Sequence, residues 1–259
     1  MRPDTSPSGL KFKSNNIENL LSVESRWQSW LDVEASMARS QSELKMIPRK
    51  VGNKIAKNCN LKKLNLKNIY RDLKITGHKL VPLIWELSRV CDKDSKKYVH
   101  WGGTTQNIVS NGDILILRKI HKIFLNDLSD LLKILSKLSL KTKNDLMAGR
   151  THGQHALPIT FGYKVACWID EISRHIERIK ESEPRVFKCI FGGAVGTSAS
   201  FGKYGNKLQK KISIKLGLNS SRIPTRSHLD HFAEYNLNII MLATTFGKIA
   251  QEIYNLMKN

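Results

Sequence analysis

Apolar residues recur at spacings of three and four over most of the chain. Across residues 17–44, Trp27, Trp30-Leu31 and Met37-Ala38 share this spacing with the polar Glu34 and Gln41, which predicts an amphipathic helix. The helix is expected to stop before Lys45-Met46-Ile47-Pro48, where Pro48 suits the opening of the next one. Residues 55–56 and 61–69 read as short helical pieces, and residues 78–90 as a helix with Pro82 near its first turn. The clearest seam is Leu117, Ile120, Phe124, Leu128, Leu131, Leu135 and Leu138, a pattern that packs against neighbouring helices. A third long helix is expected over 158–183, with Val165, Trp168-Ile169, Ile172, Ile176 and Ile179 on one face and Pro184 as its stop. Residues 207–216 read as a short helix. Residues 225–257 read as a last long one, apolar on more than one side and carrying Ala243, Gly247 and Ala250 as small contact points. That helix is expected to lie buried among several others, which suggests oligomerisation. Strand alternation is scarce, so the fold class is all-α: an N-terminal helical domain over 1–108, then part of a long-helix bundle over 109–259. The first fifteen or so residues, with Pro3 and Pro7, read as an extended lead-in.

Composition narrows the picture. With 259 residues, 41% of them hydrophobic, the chain can bury a substantial core and form two domains. Cys59, Cys91, Cys167 and Cys189 lie far apart without paired spacing, which argues against a disulfide or zinc framework and favours a reducing compartment. No signal-peptide core and no bilayer-length apolar run is present, so a cytoplasmic protein without a membrane partner is expected. The net charge of +21 would suit a polyanion. The excess, however, is spread along the chain as Lys62-Lys63, Lys67, Lys207, Lys210-Lys211 and Lys215, with few interleaved aromatics. A diffusely charged surface is therefore favoured over a nucleic-acid footprint, which stays as an alternative.

Three polar turns carry the candidate chemistry. His100-Trp-Gly-Gly-Thr104-Thr105-Gln106-Asn107 combines glycines, hydroxyls and amides that can converge on an anion, or simply cap a helix. Arg150-Thr151-His152-Gly153-Gln154-His155 offers a guanidinium, a hydroxyl, two imidazoles and an amide, and reads as a helix-connecting loop able to bind a carboxylate and move a proton. Residues 191–205 are glycine-rich but lack the Gly-Lys-Ser/Thr ending of a phosphate loop, so they read as a loop passing close to a ligand or another backbone.

With these turns placed at helix ends, the chain resembles the fumarase/aspartase superfamily, on the branch of adenylosuccinate lyases and 3-carboxy-cis,cis-muconate cycloisomerases. Five segments carry the resemblance in order: residues 27–48, 76–82, 100–107, 149–160 and 192–200. It implies a helical subunit in a homotetramer, with active sites shared between subunits. The implied reaction is reversible elimination from a polycarboxylate, or the related cycloisomerisation, through proton abstraction alpha to a carboxylate. On this resemblance Thr104, Thr105, Gln106 and Asn107 bind substrate carboxylate, and His152 transfers a proton beside Thr151 and Gln154. His78 is a further substrate contact, and Thr197 and Ser198 line the pocket. No metal and no cofactor is called for. His100, His121 and His175 read as ordinary histidines.

Two departures shape the expectation. The family's serine-bearing mobile loop has no counterpart in the sequence, so no serine here takes the role of base. The chain then reads either as a piece of a longer enzyme or as a truncated, inactive, oligomerising homologue. Ser198 and Leu229-Asp230-His231 stand where adenylosuccinate lyases usually have Gln and an Arg-Asp-Arg run. That weakens a nucleotide substrate, while Gln106 and residues 153–164 lean toward the cycloisomerase-like branch, which also contains amino-dicarboxylate lyases.

Overall fold

The computed structural model describes residues 17–225 and 227–257, so the N-terminal lead-in lies outside the described residues. The elements, in chain order, are α1 (Ile17–Leu20), α2 (Val23–Glu43), α3 (Arg49–Asn58), α4 (Leu66–Thr76), α5 (Val81–Val90) and α6 (Thr105–Lys141), then β1 (Leu146–Thr151), β2 (Gln154–Thr160) and α7 (Phe161–Val186), and last β3 (Lys188–Cys189), α8 (Gly205–Leu216), β4 (Asn219–Ser220) and α9 (Asp230–Leu256). The fold is all-α as the spacing predicts, with a two-stranded antiparallel hairpin and a short parallel pair as minor additions. The chain divides into two compact units, drawn from the described residues of Met1–Ile120 with Phe187–His228, and of His121–Val186 with Leu229–Asn259.

In the first unit α2 is the axis. Ser22 caps it through its hydroxyl, which accepts from Ser25 N–H at 3.1 Å. Its apolar stripe, Trp27, Trp30, Leu31, Val33, Met37 and Ala38, is buried against α3 and α8. Two glycines let neighbours come close. A Cβ on Gly52 of α3 would stand 2.5 Å from the Ala38 carbonyl, and one on Gly112 of α6 would stand 2.4 Å from Trp30 Cδ1. Burial also takes in polar side chains along α2, among them Ser29, Glu34, Ser40 and Gln41.

In the second unit α7 packs along α9, with Leu128, Ile179 and Leu242 as a dry centre flanked by Phe124, Ile176, Ile239 and Phe246. Polar ties run beside it. His175 Nε2 meets Thr245 Oγ1 at 2.8 Å, and Thr245 donates to Glu171, which also pairs with Lys248. Elsewhere along α9 large apolar side chains stay exposed: Leu237, Ile240, Ile253 and Tyr254 are about half open to solvent.

The helix expected over 17–44 breaks into α1 and α2, α5 starts at Val81 and not at 78, and three further boundaries differ. Pro158 lies in β2, opposite Ala148, and α7 starts at Phe161. Proline suits a two-stranded ribbon because a residue there need not donate to a ladder on both sides. Pro184 sits inside α7, which continues to Val186; it cannot donate the helical bond to the Lys180 carbonyl, a loss confined to the last turn. Helix α9 begins at Asp230 and not at 225.

Candidate active site

Thr105 opens α6, and Thr104 precedes it with its carbonyl accepting from Asn107 N–H at 3.0 Å. Thr105, Gln106 and Asn107 therefore open the first turn of a 37-residue helix, with Thr104 just before it, and the first N–H groups of a helix favour an anion. Gln106 Nε2 donates to Ser110 at 2.5 Å. Asn107 is buried, and its Oδ1 accepts from Gly193 N–H at 3.1 Å. One turn on, buried Asn111 both accepts from Ile190 N–H at 3.0 Å and donates to the Ile190 carbonyl at 2.8 Å. Its side-chain amide thus imitates a strand neighbour and satisfies a buried backbone segment. The signal for Asn111 in the sequence is only its position, four residues after Asn107 on a helix.

These ties bring the glycine-rich turn against the α6 start. Ser200 Oγ donates to the Gly102 carbonyl at 2.9 Å, and the Phe201 ring packs so closely on Gly102 that a Cβ there would lie 2.7 Å from it. Ser198 has φ +58, is buried, and its N–H reaches the Gly192 carbonyl at 2.8 Å, while its hydroxyl has no hydrogen-bond partner among the described residues. Thr197 beside it is exposed. So Thr104–Asn107 and Thr197-Ser198 share one region of the first unit.

His78, in the same unit, is occupied by its own backbone. Its Nδ1 accepts from Leu80 N–H at 3.2 Å and Val81 N–H at 3.1 Å, capping α5. In the neutral ring this places the proton on Nε2, which leaves a donor for other work.

His100, read from the sequence as ordinary, is more unusual. It has φ +57, and its Nδ1 stands 2.5 Å from Glu34 Oε1, whose side chain is completely buried. Burial pushes the imidazole toward its neutral form; the Glu34 carboxylate more than offsets this, and the pKa stands above the ordinary value. Glu34 was visible as an acid at the spacing of an apolar stripe, three residues before Met37 and four after Trp30. Gln41, on the same stripe, donates to the Trp101 carbonyl at 2.8 Å.

Thr151, His152 and Gln154 belong to the second unit and form their own group. The segment is not an irregular helix-connecting loop but a hairpin, with Thr151 paired to Gln154 and His152-Gly153 as its two-residue turn. His152 has φ +51 and Gly153 φ +76, the left-handed pair that a type I′ turn needs. All three candidate residues are exposed. The stem is anchored where α6 hands over to α7: Phe161 N–H donates to the Asp145 carbonyl at 2.9 Å, and Ser139 Oγ donates to the Gly162 carbonyl at 2.8 Å. A polar sequence with no period of two gave no strand signal; the turn chemistry of His-Gly was the available cue.

A helix start tied to a glycine-rich turn and a histidine at a hairpin tip are the two groupings that the fold makes, and comparison with known proteins gives the class. The chain belongs to the family described as Lyase, whose model matches residues 16–259, within the fumarase/aspartase superfamily. Among curated relatives, it is 39% identical over 247 residues to the N-acetyl-S-(2-succino)cysteine lyase of Enterococcus italicus, covering 95% of this chain and 54% of that protein. It is 35% identical to the adenylosuccinate lyase of Pyrococcus abyssi, covering 97% of this chain and 56% of that protein. Among solved structures, the fumarate lyase of Mesorhizobium sp. BNC1 aligns with a TM-score of 0.90 at 32% identity, over 95% of this chain and 58% of that one. The chain thus spans little more than half the length of the relatives it matches. Among the described residues, no helix is long and apolar enough to cross a membrane.

Proposed function

We propose that this chain supplies the carboxylate-binding and proton-transfer elements of a lyase that reversibly eliminates a heteroatom group from a 2-substituted succinate. The bond between C2 and the heteroatom breaks, the C3 proton leaves to a base, and fumarate and the protonated thiol or amine result. The supporting observation is the α6 start tied to the glycine-rich turn by the Gly193 N–H to Asn107 bond, because it preorganises donors where carboxylate charge must sit. Thr104, Thr105 and Gln106 contact the carboxylate, and Thr197 and Ser198 close the far wall. Asn107 serves this site by holding its two loops together. His152 carries the proton, and its exposed place at the hairpin tip leaves the imidazole within reach of a substrate.

Substituted succinates are favoured by the names of the relatives: S-(2-succino)cysteine and adenylosuccinate both carry a succinyl group on a heteroatom. The match to the Enterococcus italicus protein adds a sulfur leaving group to the nitrogen leaving group of adenylosuccinate. A homotetramer with shared sites is part of the same proposal, supported by the exposed Leu237, Ile240, Ile253 and Tyr254 on α9, which a neighbouring copy would cover.

The test is fumarate release from N-acetyl-S-(2-succino)cysteine and adenylosuccinate, with lactone formation from carboxymuconate followed in parallel, and then the reverse addition of thiol to fumarate. Release from the sulfur substrate, abolished in His152→Ala, is expected. Binding of these compounds without any turnover would instead support an inactive, oligomerising homologue. Absence of both binding and turnover would end the lyase reading.

A further inference from the structure

Glu34 is a carboxylate that the fold has taken wholly out of water, in the middle of the apolar stripe of α2. Such a charge is tolerated only against a partner, and one of its oxygens has one: Oε1 lies 2.5 Å from His100 Nδ1, whereas Oε2 has no hydrogen bond among the described residues. Just past the end of α3 the facing group is the buried Cys59 thiol, held up in pKa by its burial and then by Glu34, so it faces the carboxylate as a neutral group. Among the described residues, Glu34 is the charge that acts on the ring. A Cβ on Gly103 would sit 3.4 Å from His100 Cε1 and 3.3 Å from Met37 Sδ.

These contacts orient the imidazole. Its Nδ1 edge faces buried Glu34 and its Cε1 edge faces Gly103, while the side chain as a whole retains 22% exposure. The open edge is therefore the one bearing Nε2. The turn that carries it is closed by Gly103 N–H on the His100 carbonyl at 3.2 Å and leads directly into Thr104 and the α6 start. The left-handed backbone at His100 is a strained choice for a residue with a Cβ, and it persists because the Glu34 contact and the Gly103 turn hold it.

We infer that Glu34 is a positioning residue which holds His100 as a cation, and that His100 Nε2–H is a second, side-chain anchor for a substrate carboxylate at the α6 start. The inference rests on the lyase-site reading above and adds to it a charged group and the buried acid behind it. The raised pKa of His100 agrees with the geometry. Binding should then persist at pH values where an ordinary histidine has lost its charge, and fade as pH rises through the His100 titration.

The experiment uses fumarate as the probe on the whole chain. Imidazole nitrogen NMR follows His100, assigned by the signal missing in His100→Gln, and calorimetry follows fumarate binding across the same pH range. The expected result is a His100 midpoint above the ordinary histidine value that moves further up with fumarate. Glu34→Gln should weaken binding at neutral pH on the order of tenfold, and acidification, which protonates the ring without help, should restore it. Recovery of that kind separates lost charge from a damaged fold, whereas His100→Gln, with no titrating ring, should bind weakly at every pH, and recovery of its binding on acidification would overturn the inference. Fumarate binding that leaves the His100 signals and midpoint unmoved overturns the inference while leaving the lyase reading intact. No fumarate binding to the unaltered chain at any pH removes both.

Discussion

The two candidate regions are built by opposite means. The turn at the α6 start is stitched to distant segments: Asn107 to Gly193, Asn111 to Ile190, Ser200 to Gly102 and Glu34 to His100, with sequence separations from 66 to 98 residues. The hairpin carrying His152 owes its shape to local backbone chemistry, a two-residue turn with both residues left-handed above a paired stem. A binding turn needs donors fixed in advance, which buried side-chain amides provide. A proton carrier must reach its substrate, and an exposed tip does that at little cost in stability. Stability and chemistry should therefore separate between the two regions.

The largest expected effect tests the hairpin. His152→Ala should lower turnover by roughly 10²–10⁴-fold, the usual contribution of a positioned acid or base, while its melting temperature stays near that of the parent because His152 is exposed. A collapse in stability, measured by thermal denaturation, would show that the hairpin is held by more than its own backbone. Next comes the stitched region. Asn111→Leu leaves the Ile190 N–H and carbonyl without their partner, so it should cost about 1–3 kcal/mol for each group stranded, read from urea unfolding, and should loosen ligand binding as well. A loss of binding with no loss of stability would break the comparison from the other side.

Smaller effects sharpen it. Gly112→Ala places a methyl 2.4 Å from Trp30 Cδ1 at the α2–α6 crossing, and should cost about 1–3 kcal/mol by overpacking. Gly153→Ala meets open space but keeps φ at +76, so its penalty should be about 1–2 kcal/mol of local strain, seen as fraying of the hairpin amides in hydrogen exchange. The smallest effect concerns pH. Burial, and then the Arg178 guanidinium, push the His175 pKa below its ordinary value. The folded state thus prefers the neutral ring: this contribution is whole above the unfolded pKa and is lost as pH falls through the folded one. Melting temperature should decline more steeply on mild acidification in the parent than in His175→Gln.

Helix spacing was legible because burial of one stripe per helix is a local, periodic demand, and Trp27 through Ala38 or Val165 through Ile179 meet it without ambiguity. The polar turns were legible as clusters of chemistry at helix ends. The hairpin was hidden because Gly149–Thr160 has neither alternation nor a β-branched run; its strands exist by virtue of the His152-Gly153 turn and the α6–α7 joint that clamps their ends. His100 and Glu34 lie 66 residues apart, and no window of sequence can report that one buried acid meets one particular imidazole.

By itself, then, the sequence determined the helical class, the positions of the main helices and the identity of the polar groups at their ends, since each follows from residue type and short-range spacing. Only the tertiary structure decided which of those groups meet. The pairing of Glu34 with His100 and of Asn107 with Gly193 depends on where α2, α6 and the glycine-rich turn cross, and that is settled by close contacts such as Gly112 on Trp30, which act across the fold and leave no periodic trace in the chain.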